Sequence, residues 1–305
     1  MNQDFLIIDA HTHTYPSAEI GGQALGSDGY GYSGTTMELE EAMRQSNISQ
    51  AVMAAFTPTL EMKKANIAKL SSNLSVDERK KAVAEINKKM ITRMERRNSW
   101  ACKAAIDNRN LAALIGVDLL QNRDEMVEEV ETKVKTFGAK GLKLHPIFNE
   151  FNPWDKKMWP VYSKAQELEI PILFHSGVSE FSGYDSSYSH PDQFEDIANS
   201  FPDLTIVLAH LGKGFFKEAV ELANRCTNIF YDTSACFSEP GQDIEKLTKE
   251  IRDIIKKIGI ERVMFGSDWP WFNPSNDIAI IRNMELNDHE KSLILGLNAK
   301  KIYKL

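Results

Sequence analysis

The chain has 305 residues, of which 42% are hydrophobic and 26% are charged, and its formal net charge is −7. This apolar content is enough for a large core and excludes a disordered chain, while the acidic balance argues against a surface that binds nucleic acid. Three scattered cysteines without a CxxC pair exclude a disulfide framework. Because the first residues lack a signal peptide and no apolar run approaches about 18 residues, we expect a cytoplasmic protein without membrane contact.

Short apolar runs alternate with helical patterns from end to end. Eight runs are typical of strands buried on both faces, and they cover residues 5–11, 50–56, 111–119, 139–145, 171–175, 204–210, 228–234 and 262–268. The helical patterns cover residues 36–46, 61–71, 77–108, 123–136, 155–168, 191–199, 214–224, 242–258, 275–284 and 288–296. This order predicts an α/β fold, a (β/α)8 TIM barrel formed by residues 1–305 as a single domain. A doubly wound open sheet is the alternative, and no GxGxxG opens the first unit to support it.

The segment between the second and third runs departs from this period because it carries extra helices. Its alternating charges predict a solvated helical pair packed on the outside of the barrel. A cap over the barrel mouth and a homodimer contact are the alternatives.

Histidines gather where predicted strands end. Five of the seven stand at such ends: His11, His13, His145, His175 and His210. Asp268 ends the eighth run in the same way, and the carboxyl ends of the strands of a parallel barrel meet at one mouth. His11 and His13, two residues apart, share one face of a strand. With His175 and Asp268 they predict a site for one divalent metal, with zinc favoured by ligand type and Mn, Fe or Co as alternatives.

At this point the sequence resembles the amidohydrolase superfamily, and more narrowly its amidohydrolase-2 group. This group includes hydrolases, lactonases and decarboxylases of the aminocarboxymuconate-semialdehyde and γ-resorcylate types. The matching motifs are IDAHTHTYP (8–16), GLKLHP (141–146), PILFHSG (171–177), VLAHLG (207–212), FYDTSA (230–235) and FGSDWPW (265–271).

The resemblance implies a role for each matching residue. His11, His13, His175 and Asp268 are the implied metal ligands, and Asp268 is also implied to move a proton. His210 is the implied second catalytic residue, which polarises the substrate rather than binding the metal firmly.

The fourth strand leaves alternatives open. Many superfamily members carry a carbamylated lysine there that bridges two metals, and this chain has Lys143 and His145 on one face. Lys143 is either modified or paired with a carboxylate such as Asp118 or Asp232, and we favour one metal over two. His145 is either a group that contacts substrate or a hydrogen-bonded histidine before Pro146.

Aromatic side chains in the mouth loops are candidates for substrate contact. Tyr15 lies in the first loop and Trp269 in the eighth, and we predict that both bind substrate with Lys143 and His145. Simple lid packing is the alternative for these rings.

These residues predict an enzyme that acts on a small molecule. The leading expectation is hydrolysis of an amide, ester or lactone by a metal-activated water, with Asp268 accepting its proton. The alternative is a metal-dependent non-oxidative decarboxylase, disfavoured because no arginine stands at a strand end and Lys213 is the nearest cation. A barrel that binds a ligand without turnover is the third possibility.

Overall fold

The eight predicted strands form one parallel sheet in chain order. The computed structural model describes residues 5–26, 31–179, 183–237 and 243–305. The strands are β1 Ile8–Thr12, β2 Gln50–Ala54, β3 Leu111–Ile115, β4 Gly141–Leu144, β5 Ile172–Phe174, β6 Ile206–Leu208, β7 Ile229–Asp232 and β8 Val263–Met264. The sheet closes on itself because the amide of Ala10 donates to the carbonyl of Phe265 and that of Asp268 to the carbonyl of His11, both at 2.9 Å. The predicted TIM barrel is therefore confirmed.

Helices surround the barrel as the period predicts. They are α1 Ala18–Leu25, α2 Thr36–Gln45, α3 Thr59–Ala68, α4 Val76–Asp107, α5 Arg123–Lys135, α6 Pro146–Asn149, α7 Trp159–Glu167, α8 Glu195–Ser200, α9 Phe216–Arg225, α10 Ile244–Ile258, α11 Pro274–Asn283, α12 Asp288–Ser292 and α13 Asn298–Tyr303. The sequence did not predict α1, whose first turn is capped by the side chain of Ser17, or the single turn α6. Within the described ranges, no helix has both the length and the apolarity needed to cross a bilayer.

The extra helices between β2 and β3 are α3 and α4, which pack against each other. The amide of Asn98, inside α4, bonds the backbone of Gly116 just after β3, at 2.7 and 3.0 Å. The part of α4 before Asn98 therefore extends past the mouth end of the barrel, by about 30 Å at 1.5 Å per residue. Ile86, Met90 and Met94 recur every fourth residue and form the buried stripe of this part.

The opposite end of the barrel is closed by α13. Ala299 and Tyr303 on this helix are buried against a cluster that contains Ile8, Val52 and Met264 from inside the barrel. Among the described residues, the carboxyl ends of the strands are therefore left as the open end of the barrel, and this end is the mouth.

A buried acid lies on α11, outside the predicted site. The side chain of Asp277 is fully buried, and neither carboxylate oxygen has a hydrogen-bond partner among the described residues. Burial raises the pKa of Asp277 well above its ordinary value, and the charges of Asp9 and Asp268 act in the same direction. Asp277 is therefore a neutral acid in the folded protein at pH values where it ionises in the unfolded chain.

Because Asp277 is buried without a hydrogen-bond partner in the described ranges, we expect Asp277→Asn to stabilise the protein in a pH-dependent way. The unfolded chain loses the Asp277 proton near pH 4 while the folded chain keeps it, so the group makes wild type less stable as pH rises. We expect the free energy of unfolding of the variant, relative to that of wild type, to rise between pH 4.5 and pH 8, by up to about 1.4 kcal/mol for each unit by which folding raises the Asp277 pKa. Urea denaturation at pH 4.5 and pH 8 checks it, and an advantage that does not shrink at the lower pH would contradict it.

Candidate metal centre

Three predicted ligands meet at the mouth. The Nε2 atoms of His11 and His13 are 3.1 Å apart, and Asp268 Oδ1 lies 3.2 Å from His13 Nε2 and 3.7 Å from His11 Nε2. Residues 257 positions apart in the chain are thus brought together by the pairing of β8 with β1. Gly266 permits this approach, because a Cβ there would lie 2.9 Å from the Cβ of His11. The three side chains form a group able to hold a metal ion.

His175, the fourth predicted ligand, presents an unpartnered nitrogen. It directly follows β5, and its Nδ1 lies 3.3 Å from Nε2 of His210. His210 Nδ1 lies 3.0 Å from the carbonyl oxygen of Ser234, which can only accept, so this nitrogen carries the proton. His175 Nδ1 then donates to His210 Nε2, which leaves a lone pair on His175 Nε2. That atom is buried without a partner among the described residues, which fits a metal ligand.

Asp232, at the end of β7, organises two of these histidines. Its Oδ2 lies 3.0 Å from Nδ1 of His11, which directs the lone pair of His11 Nε2 toward Asp268 and His13. Its Oδ1 accepts from the backbone amide of His210 at 3.0 Å and from the amide and hydroxyl of Ser234. Carboxylates that hold metal-binding histidines in this way fix the ring and its tautomer. The sequence singled out Asp232 only as a partner for Lys143, and its place in the motif FYDTSA was the available signal.

The protonation states suit a cation. Burial lowers the pKa of His11 to about 4 and those of His13 and His175 below their ordinary values. Burial alone would raise the pKa of Asp268, but the hydrogen bond to His13 and the neighbouring imidazoles outweigh it and hold that pKa low. The site therefore offers neutral imidazoles and an ionised carboxylate at neutral pH, which are the forms that bind divalent metals.

Lys143 pairs with neither carboxylate proposed for it from the sequence. Its Nζ lies 3.0 Å from Nε2 of His11, beside the three ligands. Asp118 instead accepts from the hydroxyl of Thr59 at 2.5 Å and from the amide of Leu120. Burial lowers the pKa of Lys143 to about 8, against the opposing charges of Asp268 and Asp232. Contact with substrate stays a prediction for Lys143.

His145 caps α6. Its Nδ1 accepts from the amide of Phe148 at 3.3 Å, and its ring stacks on that of His175 with centroids 4.1 Å apart. This geometry favours the alternative of a hydrogen-bonded histidine before Pro146. Contact with substrate stays a prediction for His145.

The predicted mouth aromatics are largely covered. Trp269 is 0% exposed and belongs to the core cluster, and contact with substrate stays a prediction for it. Trp271, two residues later, packs edge-on against His13 with centroids 5.1 Å apart. The residue before Trp269, Asp268, has φ +59°, which turns the backbone after β8. Tyr15 is buried at 8% exposure, and its role stays a prediction.

An arginine reaches the mouth although none stands at a strand end. The guanidinium of Arg97, on α4, donates to the carbonyl of Thr14 and lies 4.6 Å from the ring centroid of Tyr15. Its Nε is buried without a partner among the described residues. The objection to a decarboxylase that the sequence raised is therefore removed by a residue from a helix.

Two predicted catalytic residues adopt strained backbone conformations. His210 has φ +61°, the next residue Leu211 has φ +52°, and Asp268 has φ +59°. Non-glycine residues in this region are uncommon and cluster at functional sites. The hydrogen bond from the His210 amide to Asp232 helps to hold His210 in its positive-φ conformation.

A family comparison agrees with this geometry. A family model described as Amidohydrolase matches residues 8–305, nearly the whole chain. The chain therefore belongs to the amidohydrolase family, an enzyme family, and the resemblance stated from its motifs is confirmed.

Individual relatives narrow the comparison. The chain is 19% identical over 228 residues to a γ-resorcylate decarboxylase from Polaromonas sp. (strain JS666), covering 61% of this chain and 68% of the relative. A solved dihydroxybenzoic acid decarboxylase from Polaromonas sp. JS666, with bound manganese and the inhibitor 2-nitroresorcinol, has a TM-score of 0.71 at 15% identity, covering 99% of this chain and 98% of that one. A 5-carboxyvanillate decarboxylase from Sphingomonas paucimobilis has a TM-score of 0.69 at 15% identity, covering 99% and 100%. At such identities the two structures show the fold alone.

These comparisons correct the leading functional expectation. The curated relative and both solved structures bear the names of decarboxylases, so hydrolysis of an amide, ester or lactone, which the sequence favoured, was wrong. The decarboxylase alternative is the reaction that the relatives support. Zinc is likewise unsupported, since the metal in the solved relative is manganese.

Proposed function

We propose that this protein is a metal-dependent non-oxidative decarboxylase of a small hydroxylated aromatic carboxylic acid. The observation that carries the proposal is the group that His11, His13 and Asp268 form at the barrel mouth, which His175 adjoins through its contact with His210. The names of the relatives select decarboxylation among the reactions such a site supports. A homodimer stays a prediction.

The four residues would hold one divalent metal, and we favour Mn²⁺ over zinc because manganese is bound in a solved relative. The unpartnered Nε2 of His175 and the Nε2 of His11, whose other nitrogen is engaged by Asp232, are the donor atoms that support this set. When bound, the ion supplies positive charge that binds the carboxylate and hydroxyl oxygens of the substrate.

Asp268 would carry the proton that the reaction needs. Decarboxylation breaks the bond between ring carbon and carboxylate, releases CO₂ and forms a C–H bond at that carbon. Because its low pKa keeps Asp268 ionised, Asp268 must first receive a proton. The hydroxyl group of the substrate would supply this proton. Asp268 then passes this proton to the ring carbon, and solvent returns one to the phenolate oxygen. The Asp268 side chain is 16% exposed and can be reached from the mouth.

His210 would position His175 beside the other ligands. Both of its ring nitrogens have partners, Nδ1 at Ser234 and Nε2 at His175, so it would act through His175. A direct contact with substrate stays a prediction for His210.

Metal removal tests the proposal. Dialysis against a chelator is expected to remove at least about 90% of CO₂ release from 2,6-dihydroxybenzoate or 5-carboxyvanillate, because the ligand residues alone supply no comparable charge. Mn²⁺ should restore it, with about one metal per chain by elemental analysis. Lactones and amides serve as control substrates. Full turnover after chelation, or acid release from the controls without any CO₂ release, would contradict the proposal.

A further inference from the structure

The part of α4 that extends past the mouth is strongly basic. Residues 79–97 contain eight lysines and arginines and two glutamates, a net charge of +6 in a chain whose total is −7. The rest of the chain is therefore considerably more acidic than the total suggests. The extra helices thus concentrate positive charge at the one end of the barrel where the metal centre opens.

Three of these cations form a row that leads to the metal centre. Lys89, Arg93 and Arg97 are spaced four residues apart, so they lie one above another on one side of the helix. Lys89 and Arg93 are exposed, and Arg97 is partly covered. At the inner end, Arg97 donates to the carbonyl of Thr14, the residue that follows the ligand His13. We call these three residues the cation row.

The cation row forms no ion pair with the residues that the structure describes. None of its members lies within 4 Å of a carboxylate in the part of the chain that the structure describes, although several lysines elsewhere form such pairs. Like charges four residues apart destabilise a helix, so this arrangement does not serve the helix itself. Burial lowers the pKa of Arg97 to about 10, Tyr15 opposes this shift, and the charge of Arg93 adds to it.

We propose that the cation row attracts small carboxylate anions to the barrel mouth and guides them toward the metal centre. This inference rests on the proposed function, whose substrate is an anion. A protein of net charge −7 repels such an anion at long range. A positive surface beside the mouth replaces this repulsion with attraction near the entrance to the metal centre. The expected ligands are aromatic carboxylates that carry one or two negative charges. The cation row should not change the binding of an uncharged aromatic compound.

Charge reversal at the outer end of the row tests the proposal. The double variant Lys89→Glu, Arg93→Glu is compared with Lys300→Glu, Lys301→Glu, which makes the same change in net charge. Lys300 and Lys301 are exposed on α13, at the closed end of the barrel. The rate of CO₂ release from 2,6-dihydroxybenzoate is measured at ionic strengths of about 10 mM and about 0.5 M, since the screening length falls from roughly 30 Å to below 10 Å.

At the low ionic strength we expect kcat/KM of the row variant to fall at least about fivefold, with kcat unchanged. The loss should shrink below about twofold at the high ionic strength, and the α13 variant should change by less than about twofold at both. Inhibition by uncharged resorcinol should be the same in all three proteins. Lys89→Gln, Arg93→Gln should give a smaller loss, and circular dichroism checks that each variant is folded.

Two kinetic results would overturn the proposed role of the cation row, and a third result separates this role from the proposed reaction. A loss that is equal at both ionic strengths, or an equal loss in the α13 variant, shows that the row does not guide anions. If wild type releases no CO₂, the proposed function fails, and tryptophan fluorescence titration with 2,6-dihydroxybenzoate then tests the row alone. Equal affinities of wild type and the row variant at low ionic strength, or no binding by either, would overturn it.

Discussion

Asp268→Asn is expected to give a folded protein whose kcat for CO₂ release is about 10³-fold or more below that of wild type. Asparagine keeps the size of the side chain but has no negative oxygen to face His11 and His13. It also cannot take the proton from the substrate hydroxyl and return it to the ring carbon. The checks are kcat with added Mn²⁺, bound metal by elemental analysis and circular dichroism.

The matched control for this prediction is Asp277→Asn, which makes the same chemical change at a buried carboxyl outside the ligand set. We expect its kcat to stay within about threefold of wild type, an effect near 0.7 kcal/mol on the barrier. An Asp268→Asn protein that retains a tenth of the wild-type kcat would show that Asp268 does not carry the proton.

Asp232→Asn is expected to weaken Mn²⁺ binding by about 10- to 100-fold, the range found for carboxylates that orient metal-binding histidines. In wild type this carboxylate accepts from His11 Nδ1, from the amide of His210 and from Ser234. The amide group of asparagine offers a single acceptor oxygen, so one of these contacts is lost. Chelator competition measures the affinity, and activity is measured across a range of Mn²⁺ concentrations.

Because Asp232 acts through His11, excess Mn²⁺ should recover a substantial part of the turnover in Asp232→Asn, whereas Asp268→Asn should remain inactive. Ser234→Ala removes a hydroxyl near the same histidines, 3.0 Å from His11 Nδ1, and provides the graded comparison with a smaller loss of affinity. Unchanged Mn²⁺ affinity in Asp232→Asn would show that the contact to His11 does not orient the ligand.

The strand ends made most of the centre predictable from the sequence. A continuous apolar run that stops at a histidine, as LTIVLAH and PILFH do, marks both a buried strand and the residue that emerges at the mouth. Barrel closure then required only that the first and eighth runs be neighbours. For this reason His11, His13 and Asp268 could be grouped before any coordinates were available.

Other features depend on geometry that the pattern does not carry. Arg97 belongs to a charged helix whose sequence resembles that of any solvated helix. Its position at the mouth follows only from two contacts in the structure: Arg97 bonds Thr14, and its neighbour Asn98 bonds the backbone just after β3. The positive φ values of His210 and Asp268 likewise do not follow from the residue types at these positions. The reaction was misjudged because hydrolysis and decarboxylation use the same ligand set and differ in the groups that surround it.

The shared carboxylate of Asp232 also ties the catalytic end of the barrel to its outer shell. Its neighbour Tyr231 points the other way and donates its hydroxyl to the carbonyl of Ala219 on α9, at 2.7 Å. A substitution on α9 that shifts this anchor would therefore displace both His11 and His210 at once, without touching either. Substitutions on α9 should therefore change the positions of both histidines together. They could alter the activity of the metal centre without replacing any residue that contacts the substrate.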